Sequence, residues 1–515
     1  MILLLMAVMV SVAQPWVKKA SRAVFTLKTF DKDGMLLASS NGFFVDGDGE
    51  AISVFAPFKG AAKAVVIDSQ DKEWPVDCIK GANDMYDVVR FKVAAKKTTA
   101  LPLAAVTYDE GTPVWLLKYH NAKEAAQGVV RRAEIFQQEY AYYTVAMAAG
   151  DNATGCPLVN ANGEAIGLMQ TAAKTGDTLV YAVSARFVDS LKITGLSLND
   201  AALLSTDIKK DLPEKLDQAQ LMLFIASTGM DSTRYAVMVD DFIRKFPKEP
   251  DGYMYHAQLL TNGRQFAQAA QNMENALSVA QKKDEVHYSY SKLIYQKELL
   301  MPEAQYDGWS LDKALEEARL AEKENPLDVY RHMQAQVLYA QKKYAESYDV
   351  YATIMSGDMR SAELFANALR CKQQLGDSTA VLALLDSCVS MFSKPYLKEA
   401  APYLYQRART VIDYGRKRQF QQALNDLNDL ISLYPRNDLY YSEKASLLVR
   451  VGFYDEAIET ARQCVDVAPQ HSDGYLFMGL AQCLKGEKAE GVRNLEKALQ
   501  LGDGQATELI EKYGK

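Results

Sequence analysis

The sequence predicts a chain of two unlike parts, an all-β barrel or sandwich followed by an all-α array of helical repeats. Between about residues 23 and 188, short apolar runs alternate with turn signals, as is typical of all-β domains. From about Leu212 the strand signals end, and Ala, Leu, Glu, Lys and Gln recur with helical period. In this second part, small residues and prolines return every 34 residues. At 515 residues the chain is also too long for a single hydrophobic core.

Composition and charge narrow the classes of partner. Hydrophobic residues make up 49% of the chain and charged residues 24%, which is ordinary for a soluble globular protein. The net charge of -7 argues against a nucleic-acid binder, which would carry a basic stripe. The sequence contains no P-loop, GxGxxG or HExxH motif, so no cofactor is expected.

The first residues predict export. Residues 2–13 are apolar and end in Ser-Val-Ala, small residues of the kind that a signal peptidase cleaves after. We interpret residues 1–13 as a secretory signal peptide, so the mature protein is expected in the periplasm or outside the cell. The apolar run is far below the ~20 residues of a membrane span, so membrane association is not required.

The cysteines predict no metal site. The chain has six, none in a CxxC pair and none clustered with histidine at zinc-ligand spacing. In an exported protein Cys371 and Cys388 could form a disulfide. The favoured alternative is that the cysteines are buried free thiols.

The β part contains a run that resembles a known active-site segment. Residues 150–157 read Gly-Asp-Asn-Ala-Thr-Gly-Cys-Pro, followed by an apolar strand and an Asn-Gly turn. This resembles the nucleophile segment of trypsin-like serine proteases of the HtrA type, which reads Gly-Asn/Asp-Ser-Gly-Gly/Ser-Pro. Aligned on Gly155 and Pro157, Thr154 stands where the family has its serine; with two residues inserted, Asn152 stands there.

Other segments match the same family in the same order. Residues 41–45 resemble its Gly-Ser-Gly-Phe-Phe-Val strand, and residues 51–61 the segment that carries the catalytic histidine. There Ala56 falls on the histidine, and Asp87, in residues 84–93, falls on the triad aspartate. Residues 181–183 match the late strand that lines the substrate cleft. The resemblance covers about residues 20–190 and implies a trypsin-like double barrel.

The resemblance also implies that the catalytic machinery is altered. Alanine cannot replace an imidazole as a general base, and an aspartate that orients no histidine has no catalytic task. Threonine is crowded at its β-carbon and is a poorer nucleophile here. His120, the one histidine of this part, is expected in a surface loop. We therefore expect a pseudoprotease and keep open an active endopeptidase that uses Thr154 with a base from elsewhere.

The helical part resembles tetratricopeptide (TPR) repeats. Ala423, Ala457 and Gly491 are 34 residues apart, and small residues also pair twelve apart, as Gly479 does with Gly491. Ala335 pairs with Ser347 in the same way. We expect about eight helical hairpins within residues 212–515, with a closing helix at 505–515. Residues 191–211 are expected to be a linker, or alternatively a packed connection.

The TPR resemblance implies that protein or peptide segments bind along a concave face formed by the first helix of each hairpin. The Lys/Asn carboxylate clamp of chaperone-binding TPR domains is absent at matching positions, so a C-terminal carboxylate ligand is not expected. For Tyr339 and Phe365, packing against a neighbouring helix is the alternative. The predicted groove residues are Met254, Gln258, His332, Gln336, Tyr339, Phe365, Leu369, Lys372, Ser442, Ser446 and Arg450.

The function expected from these features is that of an exported interaction or scaffold protein. Its inactive trypsin-like domain would accept an extended strand by β-augmentation, and its TPR solenoid would bind protein segments. Two alternatives stay open. One is the endopeptidase with TPR-recruited substrates, and the other is an assembly factor that uses residues 200–515 alone.

Overall fold

The computed structural model describes residues 16–120, 125–170, 178–415 and 417–514. The predicted signal peptide, residues 1–13, lies outside the described residues. The chain forms two compact units, Met1–His256 and Ala257–Lys515, and each is described by itself. In the part of the chain that the structure covers, no helix combines the length and apolar character needed to cross a membrane.

The first unit contains two closed six-stranded antiparallel barrels, which confirms the predicted double barrel of trypsin-like type. The strand orders are β1-β2-β3-β6-β5-β4 and β10-β11-β12-β9-β8-β7. The bounds of the strands in the first barrel are β1 Val24–Phe30, β2 Leu36–Phe44, β3 Glu50–Ser53, β4 Lys63–Ile67, β5 Glu73–Asn83 and β6 Val88–Val93. Those in the second are β7 Pro113–Leu116, β8 Ala126–Phe136, β9 Tyr140–Ala146, β10 Pro157–Val159, β11 Ala165–Met169 and β12 Leu179–Ser184.

Alternation of apolar side chains directs one face of each strand into a barrel. In β1, Phe25 and Leu27 are fully buried, and the ring centroid of Phe25 lies 4.8 Å from that of Phe44. The two barrels also share a core, since Phe43 and Val88 of the first belong to one cluster with Leu158 of the second. The barrels are therefore packed together through buried apolar surface, which is what fixes the position of the cleft between them.

Residues 191–211 are a packed connection, which was the alternative to a free linker. Ile79 of β5 donates its amide to the carbonyl of Lys209 (2.8 Å) and accepts the amide of Asp211 (2.8 Å). The amide of Gly60 donates to the carbonyl of Ser205 at 2.7 Å. The segment thus satisfies backbone groups of the first barrel, which a flexible linker would leave to water. Short helices stand at both ends of the barrel pair, α1 at Val17–Ala20 and α2 at Ala201–Leu204.

Seventeen helices follow in the described residues, as eight consecutive pairs and a closing helix. The first pair and the start of the next helix belong to the first unit. The bounds are α3 Leu216–Gly229, α4 Ser232–Lys245, α5 Pro250–Asn262, α6 Phe266–Val279, α7 Lys283–Leu300, α8 Leu311–Glu324, α9 Asp328–Ala340, α10 Tyr344–Ile354, α11 Ala362–Gln374, α12 Ser378–Ser390, α13 Ala401–Tyr414, α14 Phe420–Leu433, α15 Asp438–Val451, α16 Tyr454–Val467, α17 Ser472–Lys485, α18 Lys488–Gln500 and α19 Gln505–Tyr513.

Small residues twelve apart bring paired helices together, as the repeat pattern predicts. A β-carbon placed on Gly479 of α17 would lie 2.6 Å from the carbonyl oxygen of Gly491 on α18. In α9 and α10, the Ser347 hydroxyl donates to the carbonyl of Ala335 at 2.7 Å. Gly452 ends α15 in the left-handed conformation (φ 88°), so the turn glycine is required there. These contacts give the helical part the packing of a TPR solenoid.

The cysteines are buried free thiols, which was the favoured alternative. All six are free and buried, so Cys371 and Cys388 are not joined. Burial raises the pKa of the Cys156 thiol to about 12, which keeps it protonated at neutral pH.

Candidate functional site

The structure brings Ala56 and Asp87 into direct contact. Ala56 begins the short turn Ala56–Phe58 after β3, and Asp87 immediately precedes β6. The backbone amide of Ala56 donates a hydrogen bond to Asp87 Oδ1 at 2.6 Å. Asp87 itself has a φ of 48°, a conformation that is uncommon for a residue other than glycine. The two positions that the resemblance assigns to a catalytic pair are therefore neighbours, and the carboxylate holds the backbone where the family carries its histidine.

The loop that carries Thr154 is tied to the first barrel by Asn41 of β2. The Asn41 amide donates to the carbonyl of Thr154 at 3.2 Å, and its side chain donates to the carbonyls of Asn152 (3.0 Å) and Thr154 (3.1 Å). Gly155 is in the left-handed conformation (φ 79°) and lies so close to Asn41 that no β-carbon would fit. The backbone carbonyls of both alternative nucleophile positions, Asn152 and Thr154, thus accept hydrogen bonds from the same residue, Asn41.

A second amide side chain crosses between the barrels on the Asp87 side. Gln170, which follows β11, donates from Nε2 to the carbonyl of Tyr86 at 2.7 Å. The hydroxyl of Tyr142 donates to Gln170 Oε1 at 3.4 Å. The Tyr86 ring stacks on Phe136 of the second barrel with centroids 4.2 Å apart. The loop before Asp87 is held by the second barrel, just as the Thr154 loop is held by the first.

Two basic side chains, Lys118 and His120, follow β7. The imidazole of His120 contacts Asp71 Oδ1 at 2.9 Å, and this contact is the main reason that the pKa of the Asp71 carboxyl is lowered. His120 is about half exposed, as the predicted surface loop requires. Lys118 Nζ donates to the carbonyl of Asp151 at 3.0 Å. Among the described residues, no hydrogen bond links an imidazole to Ala56, Asp87 or Thr154.

The late strand β12 offers no open edge over Ala182 and Val183. Ala182 pairs with Met169 on one side and Tyr143 on the other, and Val183 is likewise paired on both sides. A closed barrel has no edge to which another strand can add. A guest strand therefore could not add at Ala182 and Val183, because barrel closure already uses their backbone groups.

Asn41, Gln170 and Lys118 are the residues that sequence reasoning missed. Each lies in or beside a segment that the family resemblance covers; Asn41 lies within β2, and Gln170 directly follows β11. A polar amide inside a strand that is otherwise buried is a signal of a specific hydrogen-bonding role. The carbonyl partners of the Asn41 and Gln170 side chains are 84 to 113 residues away in sequence, so the signal could not have named them.

In the helical part, three predicted groove residues are packed inside and offer no binding surface. Phe365 is 6% exposed and Leu369 2%, and both belong to a core formed by helices α9 to α12. Ser442 is 4% exposed, and its hydroxyl donates to the carbonyl of Leu439. Their prediction as groove residues is corrected: the face of α11 that carries Phe365 packs against neighbouring helices, which was the alternative for this residue.

Four further groove residues are accessible but already have partners. The His332 ring lies 5.7 Å from that of Tyr351 and contacts Asn367, and burial lowers its pKa. Tyr339 packs edge-on against Tyr344 at 5.2 Å. Lys372 Nζ lies 4.0 Å from the centre of the Tyr348 ring, and Arg450 donates to the carbonyl of Ile412 at 2.7 Å. These side chains stabilise neighbouring helices and leave part of their surface to a ligand.

The remaining groove residues stand on first helices with accessible surface. Gln258 is exposed, and its side chain donates to Asn262 on the same helix at 3.1 Å. Gln336 and Ser446 are partly exposed. Met254, also partly exposed, belongs to the first unit. Within the described residues, no group of three or more His, Cys, Asp or Glu side chains is placed to hold a metal ion.

Comparison with known proteins most directly supports the TPR assignment of the helical half. No family model matches the chain. The small glutamine-rich tetratricopeptide repeat-containing protein 2 of Saccharomyces cerevisiae is 25% identical over 95 residues, which is 18% of this chain and 28% of that protein. The Hsp70-Hsp90 organizing protein of Triticum aestivum is 30% identical over 83 residues, 16% of this chain and 14% of that protein.

A longer match is the DnaJ homolog subfamily C member 7 homolog of Dictyostelium discoideum, 23% identical over 305 residues. That match covers 55% of this chain and 54% of that protein. The chain thus spans about half or less of the length of the curated relatives that it matches.

Solved structures similar to this chain include the Rv3671c protease of M. tuberculosis in its active form, with 19% identity and a TM-score of 0.30 over 35% of this chain and 82% of that one. An inactive mutant of the same protease has a TM-score of 0.29, also at 19% identity, over 35% of this chain and 88% of that one. The fold itself is evident from the strand order of the two closed barrels. The chain combines a trypsin-like double barrel and a TPR-type helical solenoid.

Proposed function

We propose that the protein is an exported interaction scaffold whose barrels bind without cutting and whose TPR solenoid binds protein segments. The observation that carries this proposal is the hydrogen bond from the Ala56 amide to Asp87 at 2.6 Å. Asp87 supports a backbone turn that has only a methyl side chain where a base is needed. Without a base the nucleophile keeps its proton, and loss of triad members lowers turnover by about 10⁴–10⁶.

The binding role is supported by the helical half. The names of its relatives include an organizing protein of Hsp70 and Hsp90 and a tetratricopeptide repeat-containing protein. The partly exposed side chains of His332, Gln336 and Tyr339 follow one another along α9 at helical spacing. Such a row of polar and aromatic groups suits an extended or helical segment of another protein.

An active endopeptidase is the second candidate, and one observation favours it. Lys118 Nζ lies 3.0 Å from the carbonyl oxygen of Asp151, three residues before Thr154. A lysine beside the nucleophile loop is the kind of base that a serine or threonine hydrolase without histidine would use. In this alternative, the TPR solenoid would recruit the substrates.

A peptidase assay on the mature protein separates the two candidates. Fluorescent unfolded casein would report cleavage, and a serine-directed fluorophosphonate would report an activated hydroxyl. We expect neither signal from the unaltered protein, and no change in Thr154→Ala or Lys118→Met. The matched control is Thr107→Ala, another partly exposed threonine of the barrel part. Cleavage that is lost in Thr154→Ala and Lys118→Met but retained in Thr107→Ala would refute the scaffold proposal.

Photo-crosslinking tests the binding half of the proposal. A benzoylphenylalanine introduced at Gln336, on the first helix of its hairpin, should capture partner segments. The same probe at Glu346, an exposed position on the second helix, should not. Capture at Glu346 alone would show that the concave face is not the binding surface.

The export part of the proposal is based on residues 1–13. Expressed from its own start, the protein should be recovered outside the cytoplasm, with Gln14 at or near its new N-terminus. Recovery of the uncleaved chain in the cytoplasm would contradict export and leave the barrel and TPR proposals unaffected.

A further inference from the structure

A cavity of about 550 Å³ lies between the packed connection and the first helical pair, and neither Ala56 nor Asp87 lines it. Its lining comes from residues 197–212 and from α3 and α4, all within the first unit. Ile208 and Met238 are buried in its wall, and Leu204 (67% exposed) and Val237 (44% exposed) form part of its rim. This volume lies in the range of pockets that hold small organic ligands.

Most of the charges that line the cavity neutralise one another. Arg234 pairs with Asp207 at 3.0 Å and with Asp231 at 3.4 Å. Lys209 pairs with Asp241 at 3.0 Å and also reaches Asp77, which lies outside the lining, at 3.4 Å. These acidic groups are therefore engaged, and a cationic ligand would have to compete with side chains already in place.

Lys210 differs from the other cations of the cavity. Its ammonium donates to the backbone carbonyl of Thr206, and within the described residues it forms no ion pair. Burial lowers the pKa of Lys210 to about 8, an effect that nearby Arg234 adds to and Asp207 opposes. A lysine that is partly desolvated without a counter-ion stabilises an anion that takes that place.

We propose that this cavity binds a small amphipathic monocarboxylate, such as a medium-chain fatty acid, with its carboxylate on Lys210 and its alkyl chain along Ile208 and Met238. The aliphatic wall favours a hydrocarbon, because transfer of CH₂ groups from water to an apolar surface is favourable. The single unpaired ammonium selects one negative charge. No residue of the Ala56–Asp87 site and no predicted groove residue takes part, so the site is independent of the scaffold function.

The test is calorimetric titration of the full mature protein with decanoate, and with decanol, which has the same chain without the charge. Decanoate should bind, and decanol should bind at least about tenfold more weakly, because a hydrogen bond to a charged group contributes about 1.5–3 kcal/mol. Lys210→Met should reduce decanoate affinity by a similar factor and leave decanol binding unchanged. The matched control Lys248→Met, an exposed lysine outside the cavity, should bind decanoate like the unaltered protein.

A second variant keeps the test decisive if Lys210→Met does not fold. Val237 is exposed at the rim on α4, so Val237→Trp should narrow the cavity without disturbing the core. We expect this variant to lose both decanoate and decanol binding. Absence of decanoate binding to the unaltered protein, equal binding of decanol, or undiminished decanoate binding to Val237→Trp would overturn the proposal.

Discussion

The barrel half and the helical half differ in the sequence separation of the residues whose backbones come into close contact. In the barrels, Gly155 lies against Asn41, which is 114 residues earlier in the sequence. In the solenoid, Gly479 lies against Gly491, only twelve residues later. One contact joins two barrels, and the other joins the two helices of one hairpin. A glycine in the first half can thus determine how two barrels pack, whereas a glycine in the second half determines how two consecutive helices pack.

The largest effect should come from Gly155→Ala. The new β-carbon would collide with the carbonyl oxygen of Asn41, and the φ of 79° strains any residue with a side chain. We expect a loss of about 3–5 kcal/mol in the free energy of unfolding of the first unit, measured by urea denaturation followed by tryptophan fluorescence.

Gly34→Ala is the matched control for this prediction. Gly34 has almost the same φ, 80°, but nothing lies within 4 Å of its absent β-carbon. It should therefore show the strain alone, about 1 kcal/mol. Equal losses in the two variants would mean that the contact between Gly155 and Asn41 does not hold the barrels together.

The next effect should come from Gly491→Ala in the solenoid. Its β-carbon would lie 2.7 Å from the carbonyl oxygen of Gly479, so α17 and α18 must move apart at a cost of about 1–3 kcal/mol. Hydrogen exchange should show lost protection in α17, α18 and α19, with the helices before α15 unchanged, because each repeat packs mainly on its neighbours.

Gly504→Ala serves as the control for the solenoid, since nothing lies within 4 Å of its β-carbon position. It should leave the exchange pattern as it is. Loss of protection throughout the second unit in Gly491→Ala would contradict the local character that the comparison assigns to the solenoid.

A smaller effect is expected at Asp87. Asp87→Ala leaves the amide of Ala56 without its acceptor, at a cost of about 1–2 kcal/mol, and Asp87→Asn keeps an acceptor oxygen and should cost less. Urea denaturation at neutral pH gives both values. If the two variants are equally stable, the hydrogen bond contributes nothing to the barrel half.

The smallest effect is the pH dependence due to His332. Burial lowers its pKa in the folded chain, partly offset by Glu363. Below the unfolded value of about 6.5, the unfolded chain binds more protons, so the free energy of unfolding falls as the pH drops. We expect His332→Gln to reduce this fall between pH 7 and 5. Identical pH profiles would show that His332 is not protected from water.

The strands and the helical hairpins could be predicted because their periodicity is local. Alternation sets the faces of β1, and the spacing of Gly479 and Gly491 sets the crossing of one helical pair. Ala56 and Asp87 could be placed together through the family resemblance, although the hydrogen bond between them could not. Asn41 and Gln170 have partners across the barrels that no local pattern encodes.

The predictions for the groove residues and for residues 191–211 differ from the structure because both depend on contacts with neighbouring elements. The TPR resemblance predicts Phe365 and Leu369 on the concave face, but both side chains are buried by packing between consecutive hairpins. Residues 191–211 have a mixed composition with no period, so nothing local indicates the hydrogen bonds that Lys209 and Asp211 make with β5. Contacts between elements that are far apart in the chain leave no local pattern in the sequence from which they could be predicted.

The hydrogen bond between Ala56 and Asp87 has a consequence for how such sequences are interpreted. Asp87 supports the turn that follows β3, so folding alone is a reason to keep an acid at this position. The presence of an aspartate at this position in a barrel of this kind is therefore poor evidence of protease activity. At position 56 it is the backbone amide, and not the side chain, that makes this contact.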